Sequence, residues 1–303
     1  MESSRLPRFK RAPAVAPMQL TERDHDIIRL VSRHRFLRSS HIAVLIGGSS
    51  QQLLRRLQML YHHGYLERPR AQIDYYHQGG TRPFIYGLGN KGGTLLKREG
   101  GIALGKVSWG EKNRGIRGIF LKHAIMVSDV MVALELACRE KGDVRLLTED
   151  QLGDDQPRPF QWRVNIKGGL KLGVIPDRVF ALEFPDRDGG SNRAYFFLEA
   201  DRGTMPVTRR HLSQTSFFRK LLAYEATWSR SIHRTKFGFN RFRVLTVTTS
   251  ALRVKSIMEA CSRLKRGHGL FLFADFKSLQ SALSILSHPW QTTRSGVEAT
   301  LLE

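Results

Sequence analysis

Hydrophobic positions along the chain change their spacing several times, and each change predicts an element. From Thr21 they fall three and four apart. TERDHDIIRLVSRH carries Ile27, Ile28, Leu30 and Val31 behind a Thr21 cap and an acidic first turn, which predicts a helix. After a break at residues 36–40, SHIAVLI reads as a short apolar helix ended by Gly47-Gly48. Ser49 and Ser50 then cap a third, QQLLRRLQMLYHHG, which stops at Gly64. Two runs rich in Tyr, Ile and Phe within YLERPRAQIDYYHQGGTRPFIYGL flank Gly79-Gly80 and predict a hairpin. Helical spacing returns in TLLKRE and then in IFLKHAIMVSDVMVALELACREKG, a long and largely buried helix. Beyond it, VRLLTEDQL, KLGVIPDRVFALEF and NRAYFFLEADRGT predict three strands. SQTSFFRKLLAYEATW predicts a helix, FRVLTVTT a strand, ALRVKSIMEACSRLKRG a helix and GLFLFAD a last strand. The order αβββαβαβ implies a mixed sheet covered on both faces, so the chain as a whole belongs to the α/β class.

Three helices followed by a hairpin is the order of a winged helix-turn-helix, in which the third helix enters the major groove and the wing lies along the backbone. The apolar face of the third helix is expected to be Leu53, Leu54, Leu57 and Leu60. Ser50, Gln51, Gln52, Arg55, Arg56 and Gln58 would face base edges and phosphates, with Arg68, Arg70 and Arg82 on the wing. RRLQMLYHHGYLER followed by YGLGNKG resembles bacterial winged-helix regulators at the junction of helix and wing. Gly87, Gly89 and Gly92 spell GxGxxG, but no second parallel strand with an acidic residue follows. Residues 104–112 offer a glycine-containing loop with Trp109 instead. These glycines are expected to close the wing and open a helix.

Composition adds a partner. Of 303 residues, 49 are Lys or Arg and 27 Asp or Glu, a net charge of +22. Residues 1–120 hold 21 basic against 8 acidic positions and the remainder 28 against 19, so both halves attract a polyanion, double-stranded DNA first. Anionic lipid and an acidic protein docked on an adaptor are the alternatives. Residues 1–17 mix Pro7, Pro13 and Pro17 with Arg5, Arg8, Lys10 and Arg11, which predicts a disordered basic arm along phosphates. The expected plan is this arm, a DNA-binding domain at 18–100, a linker at 101–117, an α/β domain at 118–280 and a tail at 281–303. No apolar run approaches the roughly 20 residues of a membrane span, and the N-terminus lacks the apolar core of a signal peptide. A cytoplasmic protein with no membrane partner is expected. Cys138 and Cys261 are far apart with no CxxC spacing and are expected to be buried thiols.

Candidate chemistry lies in the second domain. Ile175-Pro176-Asp177 and Glu199-Ala200-Asp201 place carboxylates on neighbouring predicted strands, the oxygen ligands that magnesium or manganese wants. Over residues 118–275 this resembles the PD-(D/E)xK nuclease family, which has a restriction-endonuclease-like fold. The resemblance implies a metal held by Asp177, Glu199 and Asp201. It also implies a lysine that positions or activates water, but Asp201 stands where the pattern wants that lysine. Lys220, with Tyr224 one turn on, is the candidate replacement, and Glu135 or His123 the candidate outer ligand. Arg202 cannot be a base. The alternative is a structural ion-pair network of Asp177, Asp201 and Arg202 in a domain without catalysis.

Taken together, LTERDHDIIRLVSRHRFLRSSHIAVL, RRLQMLYHHGYLER, YGLGNKG, PDRVFALE, FFLEADRGT and FRVLTVTT resemble the replication-relaxation family of plasmids and integrated mobile elements. The resemblance implies processing of the element's DNA in replication, relaxation or transfer. It leaves open a metal-dependent nuclease or a regulator whose second domain dimerises or binds a replication or transfer protein.

Overall fold

The computed structural model describes residues 8–73, 82–100, 108–152, 160–166, 169–185, 191–294 and 296–302. The chain forms two compact units, Met1–Val132 and Ala133–Glu303.

Unit 1 begins with α1 (Glu22–His34), whose Ile27, Ile28 and Val31 are wholly buried, each contributing roughly 1.5–3 kcal/mol by leaving water. The predicted break is a strand, β1 (Phe36–Arg38), leading directly into α2 (Ser39–Ile46). Then come α3 (Ser50–His62), β2 (Leu66–Glu67), β3 (Ile85–Leu88), α4 (Asn90–Arg98) and α5 (Trp109–Arg114). The strands form one antiparallel sheet ordered β1-β3-β2. The predicted Gly79-Gly80 turn lies outside the described residues. The segment expected to be a linker contains α5, whose Asn113 donates to the Leu88 carbonyl at 2.8 Å, while the Gly110 amide donates to Asn90 at 2.7 Å.

The GxGxxG run has a packing explanation. A Cβ on Gly87 would stand 2.7 Å from the Phe36 ring, on Gly89 2.3 Å from the Gly64 carbonyl oxygen, and on Gly92 2.3 Å from that of Tyr65. The Gly89 amide bonds the Tyr65 carbonyl at 2.9 Å, so only glycine lets the two chain segments meet.

A buried acid joins α1 to α3. Asp24, 0 % exposed, accepts from the Thr21 amide at 2.7 Å, the Thr21 hydroxyl at 2.8 Å and Arg56 Nε at 2.7 Å. Burial alone would raise the Asp24 pKa, but the hydrogen bonds from Arg56 and Thr21 outweigh it and hold the pKa below the usual carboxylate range.

The long helix α6 (Gly118–Lys141) begins in unit 1 and ends in unit 2, where it leads to β4 (Arg145–Thr148), β5 (Trp162–Asn165), β6 (Lys171–Val174), β7 (Arg178–Pro185) and β8 (Ser191–Asp201). Next are α7 (Phe217–Ser229), α8 (Ile232–Phe237), β9 (Phe242–Thr248), α9 (Ala251–Cys261), β10 (Phe271–Asp275), α10 (Phe276–Ser281), β11 (Trp290–Gln291) and β12 (Glu298–Ala299). The main sheet runs β12-β11-β10-β9-β8-β7-β4, antiparallel from β4 to β8 and parallel from β8 to β10. KLGVIPDRVFALEF is therefore not one strand. Its first part pairs with β5 in a separate two-stranded ribbon, packed through Trp162, Val164, Leu172 and Val174 on the core that α7 covers. Nor is 281–303 a tail, because β11 and β12 extend the sheet and Trp290 is wholly buried. Both cysteines are buried thiols, and no described helix is long and apolar enough to cross a membrane.

Gly92→Ala should destabilise unit 1 by roughly 3 kcal/mol, because a backbone carbonyl cannot retreat like a side chain. A urea midpoint equal to that of the wild type would contradict the close packing. Arg56→Ala should cost about 2 kcal/mol at pH 7, since it strands a buried carboxylate. The depressed Asp24 pKa means this contribution is complete above about pH 4 and fades as acid titrates the group, so the deficit in urea midpoint should shrink in acid. A pH-independent deficit would contradict the assignment.

Candidate functional site

β7 runs antiparallel to β8, so the start of one lies beside the end of the other, with Arg178 opposite Leu198. Asp177 immediately precedes β7. Its amide donates to the Leu198 carbonyl at 3.0 Å and its carboxylate accepts from the Ala200 amide at 2.8 Å. This fixes Asp177 against the end of β8, where Glu199 and Asp201 share a face because strand side chains alternate. That end is the carboxyl end of the parallel strands β8, β9 and β10, the edge at which open α/β sheets bind ligands.

Glu199 is 2 % exposed. Lys220 and Tyr224, one turn apart on α7, both reach it: the Lys220 ammonium donates to Oε2 and the Tyr224 hydroxyl to Oε1 at 2.6 Å. Burial pushes the Glu199 pKa up, and Asp177 adds to the push against Lys220 and Tyr224. Burial works against the Lys220 ammonium, but Glu199 and Asp177 outweigh it and hold its pKa above the ordinary lysine value. Burial, then the Glu199 charge, drive the Tyr224 phenol well above its usual range. Lys220 and Tyr224 therefore keep their protons. Lys220 is a cation and Tyr224 a donor, and neither is a base at neutral pH.

Asp201 belongs to a second network. Arg253, on α9, donates to it through Nε at 2.7 Å and Nη2 at 3.2 Å, Thr248 at 3.0 Å and the Gly203 amide at 3.2 Å. Of the three carboxylates expected to share a metal, Asp201 is taken up by guanidinium, hydroxyl and amide. Among the described residues no group of three or more His, Cys, Asp or Glu is arranged to hold a metal ion. Glu135 pairs with Arg139 on its own helix, and His123 falls in unit 1. The chain's pattern points to Arg202 as partner to Asp201 and carries no sign of Arg253. Also missed is Thr246, which pairs in register with Glu199; its hydroxyl is wholly buried and has no partner among the described residues. The threonines of TVTT at the end of a parallel strand were a usable signal.

In unit 1, Ser50, Gln51, Gln52 and Arg55 are exposed on α3, with Gln58 half-buried, and Arg8, Lys10, Arg70 and Arg82 are exposed elsewhere. Leu54, expected in the apolar face, is 48 % exposed beside them, and Tyr61 takes its place in the core. Three arginines expected on phosphates are committed internally. Arg56 is held by Asp24. Arg68, 4 % exposed, sits among Tyr61, Phe84 and Tyr86 and donates to the Arg8 carbonyl at 2.6 Å. Arg11 donates to the Tyr61 carbonyl at 2.9 Å and to buried Glu67 at 2.8 Å. The Ala12 amide donates to His62 at 3.0 Å, so residues 8–12 are docked rather than the disordered arm expected, and Arg5 lies outside the described residues.

No curated protein and no solved structure matches the chain. The model of the replication-relaxation family matches residues 28–241, from α1 in unit 1 to the residue before β9 in unit 2. The chain belongs to the replication-relaxation family.

Proposed function

We propose that the chain binds the double-stranded DNA of a plasmid or mobile element in the cytoplasm and processes it during replication, relaxation or transfer. Unit 1 is read as a winged helix-turn-helix and unit 2 as a restriction-endonuclease-like domain whose Asp177, Glu199 and Lys220 hydrolyse a phosphodiester. A homodimer and replication or transfer proteins are the further partners of this reading. The observation that carries it is the meeting of Asp177, Glu199 and Lys220, from three separate elements, at the carboxyl end of the sheet.

For unit 1, α3 supports the reading by sealing the core with Leu53, Leu57 and Leu60 while leaving Ser50, Gln51, Gln52 and Arg55 in water. A helix of this kind offers amides to base edges and a guanidinium to phosphate.

For unit 2, two carboxylates and a neighbouring hydroxyl suit magnesium or manganese, which takes one or two protein carboxylates and completes its shell with water and phosphate oxygens. Asp177 and Glu199 would hold such an ion, which supplies an activated water and neutralises phosphate charge. Lys220, fixed as a cation, would face the charge that develops on the phosphate, a preorganised electrostatic role. Tyr224 orients the Glu199 carboxylate and cannot exchange protons at neutral pH.

A specific observation favours a second reading, a regulator without catalysis. The position of the lysine in the PD-(D/E)xK pattern is occupied by Asp201, locked to Arg253, and Glu199 already has a cation.

Arg55→Ala should weaken binding to duplex DNA and lower the slope of log affinity against log salt by about 0.9, the value for one phosphate contact. An unchanged slope would remove α3 from the interface. Magnesium or manganese should raise the melting temperature of the wild type, because an ion bound only by the folded state stabilises it, and Asp177→Asn should remove that increase. A wild-type melting temperature indifferent to metal would exclude the hydrolytic reading and leave the regulator.

A further inference from the structure

The β5–β6 ribbon is an insertion in the meander of the main sheet, between β4 and β7. One face is buried through Trp162, Val164, Leu172 and Val174, and Trp162 also donates to Thr227 on α7 at 2.8 Å. The other face is wholly exposed. In register it presents Arg163 opposite Gly173 and Asn165 opposite Lys171, and it continues into Ile175, 70 % exposed. No acidic residue lies on this face, and among the described residues neither Arg163 nor Lys171 meets a carboxylate. At its edge Lys236 donates to the Gln161 carbonyl at 2.9 Å, adding a third cation.

Gly173 is the unusual member. A Cβ placed there meets nothing within 4 Å, and its backbone is not in the left-handed region, so neither packing nor conformation calls for glycine. Glycine inside a strand weakens it and marks a bulge, a tight bend or the close approach of a ligand or another backbone, and the register is unbroken through Gly173. The ribbon also points at chemistry. Only Ile175 and Pro176 separate β6 from Asp177, and three residue steps of extended chain span at most about 10 Å.

We propose that the exposed face of the β5–β6 ribbon is a duplex-DNA contact surface, with Arg163 and Lys171 on phosphates and Gly173 leaving room for the sugar-phosphate backbone, so that a phosphodiester is delivered to the Asp177–Glu199 cluster. This rests on the DNA-processing reading above and adds to it the element of unit 2 that touches the nucleic acid. Its charge suits the occupant, because a two-stranded ribbon lined by cations fits a duplex groove and its flanking phosphates.

The full chain should be titrated with a labelled random-sequence duplex, followed by fluorescence anisotropy, at several salt concentrations. Loss of both cations in the Arg163→Ala, Lys171→Ala double variant should lower the salt slope by about 1.8. The wild-type advantage should then shrink about tenfold between 50 and 200 mM salt. Gly173→Val, which suits a strand and whose Cβ meets no neighbour, should leave the melting temperature unlowered yet weaken binding severalfold. Wild-type binding with both variants indistinguishable from it would overturn the ribbon while leaving DNA binding by α3 intact. Failure of the wild type to bind duplex at all would overturn both.

Discussion

A carboxylate in a buried strand costs several kcal/mol unless its charge is met on the spot, and Glu199 is such a carboxylate. Meeting it dictates much of unit 2. Lys220 and Tyr224 must stand one turn apart on α7, and α7 must begin where its first turns cover the end of β8. Asp201, two residues on, makes the same demand of α9 through Arg253. The Arg253 guanidinium also donates to the Met205 carbonyl, and so ties the loop after β8 to the same point. Unit 1 uses the device once more, where Asp24 binds α1 to α3 through Arg56. In each case an acid of one element fixes a basic residue of another.

What was legible in the sequence follows from the range of the forces involved. Helices announce themselves by local spacing, so α1, α3, α7 and α9 stand close to where Ile27, Leu53, Leu221 and Val254 place them. β1 was missed because Phe36 and Leu37 are both wholly buried, which gives no alternation to read. The β5–β6 ribbon was missed because Val174, Ile175, Pro176 and the apolar run of β7 read as one strand. The break there is made by a change of pairing partner, from β5 to β8, which no local pattern records. The last strands are not legible because two-residue strands carry no period, although Trp290 is a sign of burial.

The candidate site was legible in part for the same reason. Asp177, Glu199 and Lys220 were singled out by residue type and element order, and the fold brings those three together. The fate of Asp201 was not, since its partner Arg253 lies 52 residues away and looks like any surface arginine of a helix. Arginines misled most. Counted as net charge they all face DNA, yet Arg56 and Arg68 are committed to Asp24 and to an aromatic cage, and only the tertiary structure separates them from Arg55.

Membership of the replication-relaxation family sets the context of plasmid or mobile-element DNA, and we propose that the cluster around Glu199 acts on it. The most direct test is incubation of supercoiled plasmid with the full chain and magnesium or manganese, read as conversion to nicked or linear DNA. Conversion by the wild type, abolished in Glu199→Gln with DNA binding retained, is the outcome this account requires. Equal conversion by both proteins, or none by a wild type that binds the plasmid, would contradict it.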